Sequence, residues 1–266
     1  MQSADISDIE LSSLIDVENA LRDVAQRFRG VYAHWRGHAN INWRLQAEVF
    51  RENTTGARYN EVSLIRYFMA HAESRNSRCP SIEDHLGWLI LGKHFGLPTR
   101  LLDWSASPLV ALYFAAQKDE AEPNSDGCVW AIDAGGMNNS MIGKWRLMAP
   151  DDPDVKSLAD IAFEANPQNS QEMTKGKDHQ ALAVGTREIN PRVLVQQGSF
   201  TIHADEMDLS EVAYRPQDRL WRRVFRVPAA TKPIILEMLR ALSISRSTLF
   251  PDLGALAEEL KSRQFR

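Results

Sequence analysis

Cysteine is scarce. The two that occur, Cys79 and Cys128, are spaced for neither a zinc-ligand set nor a disulfide framework. Long apolar runs are also missing, since none nears the roughly 20 residues needed to cross a bilayer. Residues 1–20 carry acidic groups but no Lys or Arg. This pattern predicts a soluble, cytoplasmic protein with no membrane partner. Excess positive charge is absent too: a net charge of −4 and a pI near 6.0 give no global pull on nucleic acid and leave room only for a local basic groove. Neither G-x-x-x-x-G-K nor G-x-G-x-x-G occurs, so the common phosphate-cradling fingerprints give no support. G-x-S-x-G and H-E-x-x-H are missing as well, and nothing calls for a metal. With 266 residues, 44% of them hydrophobic, the chain suits one domain with insertions better than two full domains.

What is present is organised around residues 91–115, LGKHFGLPTRLLDWSASPLVALYFA. A helix running into His94 meets Gly96, suited to the left-handed conformation past a helix end, and Pro98 forbids continuation. Leu101, Leu102 and Trp104 then read as a short extended run. Ser107 and Pro108 open a new helix as N-cap and first residue. His94, Thr99, Arg100, Asp103 and Ser105 are costly among Leu, Trp and Phe unless each has a partner, and a site is the economical explanation.

Before this stretch, Asp16 can cap a helix with Val17, Ala20, Leu21, Val24 and Phe28 on one face. A strand over 31–36 ends on Arg36, and Gly37 after it lets a ligand approach the backbone closely. Asn60 caps a helix through Leu64, Ile65 and Phe68, and Ser81 with Asp84 opens the helix that ends at His94. Beyond it, 128–133 reads as a buried strand around Cys128. Residues 134–190 read as an insertion with one short helix over 157–164. Strands are expected over 193–197, 200–203 and 219–227, followed by helices after Pro233 and Pro251. Arg219, Arg222, Arg223 and Arg226 on the last strand form either a phosphate-binding edge or a solvated face that blocks edge aggregation.

Trp35-Arg36-Gly37, Asn42-Trp43-Arg44-Leu45, the run 94–104, the helix 109–115 and Gln196-Gln197-Gly198-Ser199-Phe200 resemble the FRG domain family over about 30–205, with 206–266 adding a strand and helices. A more distant resemblance is to mono-ADP-ribosyltransferases of the Arg-Ser-Glu class. Trp35-Arg36-Gly37 is similar to their first motif, Asp103-Trp104-Ser105 with Ala111-Leu112-Tyr113-Phe114 to their second, and 196–200 stands where the third bears a catalytic Glu, which is missing here. The resemblance implies an α+β fold with split antiparallel sheets flanked by helices, and a transferase that takes NAD as its substrate. It implies a toxin of toxin-antitoxin or anti-phage systems that modifies RNA, another nucleic acid or a protein, with an antitoxin partner.

NAD needs a cation for its diphosphate, backbone groups for its carboxamide and polar groups on its ribose. Under this resemblance Arg36 takes the diphosphate, Gly37 the carboxamide, and Ser105 or Thr99 the ribose, with His38 and Arg100 also on the cofactor. Asp103 steadies the developing positive charge or takes the acceptor's proton, His94 is the alternative base, and Gln197 holds a ribose hydroxyl. Plainer roles compete: Asp103 pairs with Arg100 to brace the turn, or His94 caps its helix. Two other functions stand beside the transferase: a non-catalytic nucleotide-binding or interaction module, and a metal-independent nuclease built on His94, Asp103 and His203. RNA as acceptor draws on the four arginines together with Trp35, Trp43 and Trp221 as stacking surfaces.

Overall fold

Alternating side chains on the strand Gly127–Asp133 send Val129 and Ala131 into one core and Cys128, Trp130 and Ile132 into another, so both faces are covered. The computed structural model describes residues 5–28, 33–52, 55–176, 180–185, 195–214 and 218–262. In chain order these give β1 (Ile6–Glu10), α1 (Leu14–Arg27), β2 (Ala33–His38), α2 (Glu61–Ala72), α3 (His85–His94), β3 (Leu101–Ser105), α4 (Pro108–Ala115) and β4 (Gly127–Asp133). Then follow α5 (Ala134–Ile142), α6 (Pro153–Ile161), α7 (Pro167–Thr174), β5 (Ala181–Val184), β6 (Gly198–His203), β7 (Arg222–Val227), α8 (Lys232–Ala241) and α9 (Leu253–Ser262).

The described strands form one seven-stranded sheet in the order β1-β7-β4-β2-β3-β6-β5. The expected pair of separate antiparallel sheets is corrected in two respects. The sheet is mixed, because β1 runs parallel to β7, and it is continuous. Its continuity is thin. β2 pairs with β4 over six residues, whereas it meets β3 only at Trp35 opposite Ser105. Beyond that pair β2 and β3 part.

Helices fix the geometry of the gap. Gly96, at φ +87°, ends α3 as the sequence predicts, and the Leu97 N–H returns to the Gly92 carbonyl at 2.9 Å. The Ser107 hydroxyl accepts from the Val110 N–H, and Pro108 starts α4. Ser107→Ala should lower stability by about 1 kcal/mol in a urea titration, the usual cost of a lost N-cap. α4 crosses the sheet at two glycines. A Cβ on Gly37 would lie 1.8 Å from the Ala111 carbonyl oxygen, and one on Gly127 would lie 2.2 Å from that of Ala115. Gly37 therefore lacks a side chain because helix backbone occupies the space, a packing requirement quite apart from any ligand.

Other boundaries shift for local reasons. α1 is capped by Ser13, with the Asp16 carboxylate accepting from the Ser12 N–H and the Ser13 hydroxyl. α3 starts three residues late because Asp84 is the cap, its carboxylate lying over the bare Cα of Gly87. The short helix expected over 157–164 is α6, beginning at Pro153 behind the cap Asp152. Within 134–190 the chain supplies α5, α6, α7 and the edge strand β5. Val155, Leu158, Leu182 and Val184 pack there with Leu101 and Ile202. The strand expected over 193–197 has its first two positions outside the described residues, and 195–197 form a helical end and turn instead.

Candidate active site

Where β2 and β3 part, a cavity of about 210 Å³ opens, lined by Arg36, Gly37, Lys93, His94, Asp103, Ser105 and Gln196 beside the apolar Trp35, Val110 and Phe114. β2 contributes Arg36, the end of α3 contributes Lys93 and His94, and β3 contributes Asp103 and Ser105. α4 forms an apolar wall. The arginine after the first predicted strand and the acidic turn some seventy residues later therefore share one cavity. The Arg36 Nη1 donates to the Asp103 carbonyl at 2.7 Å, across the gap between the strands.

Arg36 is not at a strand end. It lies in mid-strand opposite Trp130, and its Nε donates to His38 Nε2 at 3.0 Å. Burial pushes its guanidinium down to about 10, with Asp103 pulling the other way, so it stays cationic at neutral pH. Asp103 does not pair with Arg100. Its carboxylate lies 2.9 Å from the Lys93 ammonium. His94 is half-buried, with its ring edge-on to Phe95.

Ser105 lines the cavity, yet its hydroxyl donates to the Gln196 carbonyl at 2.7 Å and accepts from the Ser107 N–H at 3.0 Å. Its proton is spent on holding the loop to the strand.

Four expected site residues lie elsewhere. Thr99 is fully buried, its Oγ1 accepting from the Leu101 N–H. Arg100 is buried against Glu61, which takes its Nε at 3.0 Å, its Nη2 at 2.6 Å and its backbone N–H at 2.8 Å. His38 is 2% exposed beneath Arg36. Gln197 sits in the turn before β6 at φ +48°, and its neighbour Gln196 reaches the cavity in its place. The Arg100–Glu61 pair ties the start of β3 to α2. Glu61→Gln should cost about 3 kcal/mol in chemical unfolding, because it leaves a buried guanidinium without its counter-charge.

The arginine-rich strand offers no phosphate edge. Arg222 pairs with Asp5 at 2.8 Å with neither side chain exposed, Arg223 pairs with Asp23 at 2.8 Å, and Arg226 is held between Glu10 and Asp126. Arg219 and Arg226 are the exposed members of the four, and Arg226 is ion-paired on both sides. Trp35 and Trp221 are core residues, which leaves Trp43 as the half-exposed member of the expected stacking set. His203 is wholly buried, bonded through Nε2 to the Thr201 hydroxyl, and its charge is suppressed to a pKa of about 3 by burial and by Arg100, Arg36, Lys93 and Arg51. It is not among the residues that line the cavity.

Lys93 is a cavity residue that the sequence motifs do not single out. The available signal is its place in the last turn of a helix, one residue from a suspected site histidine. Among the described residues no cluster of three or more potential ligands fits a metal ion, and no helix is long and apolar enough to cross a membrane. No curated protein and no solved structure matches the chain significantly. Residues 32–124, which carry β2, α2, α3, β3 and α4 and so most of the cavity wall, match the family model of the FRG domain, and that match supports reading this stretch as an FRG domain.

Proposed function

We propose that the chain is an NAD-consuming ADP-ribosyltransferase whose cleft lies between β2 and β3. The observation that carries this reading is the convergence of the Arg36 guanidinium, the Asp103 carboxylate and the His94 imidazole on one cavity at the thin joint of the sheet. A sheet that opens at its centre is what a split-sheet transferase fold needs to admit a nucleotide. The cavity, about 210 Å³, is below the roughly 300–1,000 Å³ of sites that enclose a whole drug-sized ligand, so it takes the nicotinamide-ribose half and leaves the adenylate outside.

In this reading the ribose C1′–N1 bond breaks and nicotinamide leaves with the bonding pair. The oxocarbenium-like ribosyl group is steadied by Asp103, and an acceptor oxygen or nitrogen bonds to C1′. The acceptor's proton passes to His94 or Asp103. Arg36 holds the diphosphate. The acceptor is RNA or a protein, and an antitoxin protein that covers the cleft is the partner implied for a toxin of bacterial conflict.

A second reading, nucleotide binding without turnover, draws on one feature: among the described residues Asp103 is the sole carboxylate lining the cavity, and Gln196 stands at the edge that carries a Glu in the transferases it resembles. The nuclease reading loses one of its three residues with the burial of His203. Incubation with adenylate-labelled NAD and either RNA, DNA or cell protein separates the two surviving readings. Label fixed to an acceptor, with nicotinamide released, supports transfer. Saturable binding with NAD intact supports the second.

A further inference from the structure

Lys93 ends α3 with its side chain 12% exposed, and its Nζ lies 2.9 Å from Oδ2 of Asp103, whose side chain is 54% exposed. An ammonium carries three N–H donors, and the carboxylate occupies one side of it. Across the cleft Arg36 spends Nε on His38 and Nη1 on the Asp103 carbonyl, while its Nη2 has no hydrogen bond among the described residues. Arg51 adds a further positive charge near Arg36 and Asp103, partly balanced by Glu48. Cations thus outnumber carboxylates around a half-closed space, which favours an anion. A largely dehydrated ammonium needs a counter-charge, and Asp103 supplies it.

We infer that Lys93 and Arg36 together form a diphosphate-binding site, and that an incoming phosphate takes over Lys93 and releases the Asp103 carboxylate toward the ribose. The anion site stands on its own, whereas the use made of the released carboxylate rests on the transferase reading. The exchange is favourable because a phosphate group brings more charge and more acceptor oxygens to the ammonium than one carboxylate does. It also makes Asp103 an internal competitor, so removing its charge must tighten anion binding.

The test is calorimetric titration of inorganic pyrophosphate, and separately of ADP-ribose, into the full chain and its K93Q, D103N and K93Q/D103N variants at low salt, with melting curves for each. D103N should bind pyrophosphate about tenfold tighter and K93Q about tenfold weaker, and the D103N gain should vanish in the double variant because the two residues act as one unit. A gain in affinity cannot come from misfolding. Unchanged or weaker binding by D103N, or wild-type affinity in a K93Q protein that melts normally, overturns the proposal. Should pyrophosphate follow the expected order while labelled NAD is never consumed, the anion site stands and the transferase reading falls. Label transfer by the wild-type chain, with pyrophosphate affinity unchanged in every variant, removes the anion site and leaves the transferase reading standing.

Discussion

Arg36→Ala is expected to lower kcat/KM for ADP-ribosyl transfer from NAD by about a thousandfold, or roughly 4 kcal/mol of transition-state stabilisation. Two losses combine. The diphosphate loses a planar, two-pronged donor inside a cleft where burial strengthens each charge-assisted bond. The strap across the gap also goes, because Arg36 Nη1 donates to the Asp103 carbonyl and so sets the distance between β2 and β3. Arg36→Lys separates the two effects. It keeps a positive charge but cannot reach the His38 ring and the Asp103 carbonyl as a fork, so transfer should stay at least about a hundredfold down while melting recovers most of the way to wild type. An Arg36→Ala protein that still transfers label at the wild-type rate would remove the guanidinium from the chemistry and leave it as a strap alone.

The fold was legible where short-range rules decide it. Gly96 past the end of α3, Ser107-Pro108 at the start of α4 and Asn60 before α2 are caps whose chemistry needs no distant partner. Cys128-Val129-Trp130-Ala131-Ile132 is apolar without alternation because cores cover both of its faces. The meeting of Arg36 and Asp103 was also legible, through motif order. Partner choice was not. Arg100 is three residues from Asp103 in the chain, yet it finds Glu61, whose carboxylate can take the guanidinium and the backbone N–H together inside the core. Asp103, on the solvated side of β3, is left to Lys93.

The basic strand misled for the same reason. Its arginines meet Asp5, Asp23, Glu10 and Asp126, acids scattered through the first half of the chain, so charge counted along the strand says nothing about charge left over. Gln196 replaced Gln197 at the cavity because the chain turns at 196–197 before β6 begins, and one residue of offset decides which side chain reaches the cleft. The elements after 134 were hard to see because α5 opens on Ala134-Gly135-Gly136 and α7 is polar apart from Pro167 and Met173. Capping by Asp133 and Asn166, rather than apolar periodicity, starts them.

Acidification should unfold this protein well before its carboxylates titrate. Three histidines, His34, His38 and His203, lie within the sheet at 4%, 2% and 0% exposure. Burial lowers His34 to about 4, against a weaker opposing pull from Asp133. It lowers His203 to about 3, with Arg100, Arg36, Lys93 and Arg51 adding to the effect, and it takes His38 well down with help from Arg36 and Arg51. The bonding is that of neutral rings. His38 Nε2 accepts from Arg36 Nε, His203 Nε2 meets the Thr201 hydroxyl, which itself accepts from the Trp104 Nε1–H, and His34 Nδ1 meets the Ser199 hydroxyl at 3.2 Å. A ring whose folded pKa lies below its unfolded value stabilises the fold fully above the unfolded pKa of about 6.5, and that stability drains away as pH falls toward the folded value. Between pH 7 and pH 5 the unfolded chain takes up protons that the folded one refuses, and three rings together remove on the order of 5 kcal/mol, comparable to the whole stability of a typical domain. Urea titrations at half-unit pH steps should show stability falling with a slope that approaches three protons below pH 6. His203→Leu should reduce that slope by about one proton, whatever it does to stability at pH 7. A flat profile from pH 7 to pH 5 would mean that the three imidazoles gain protons as freely inside the fold as outside it.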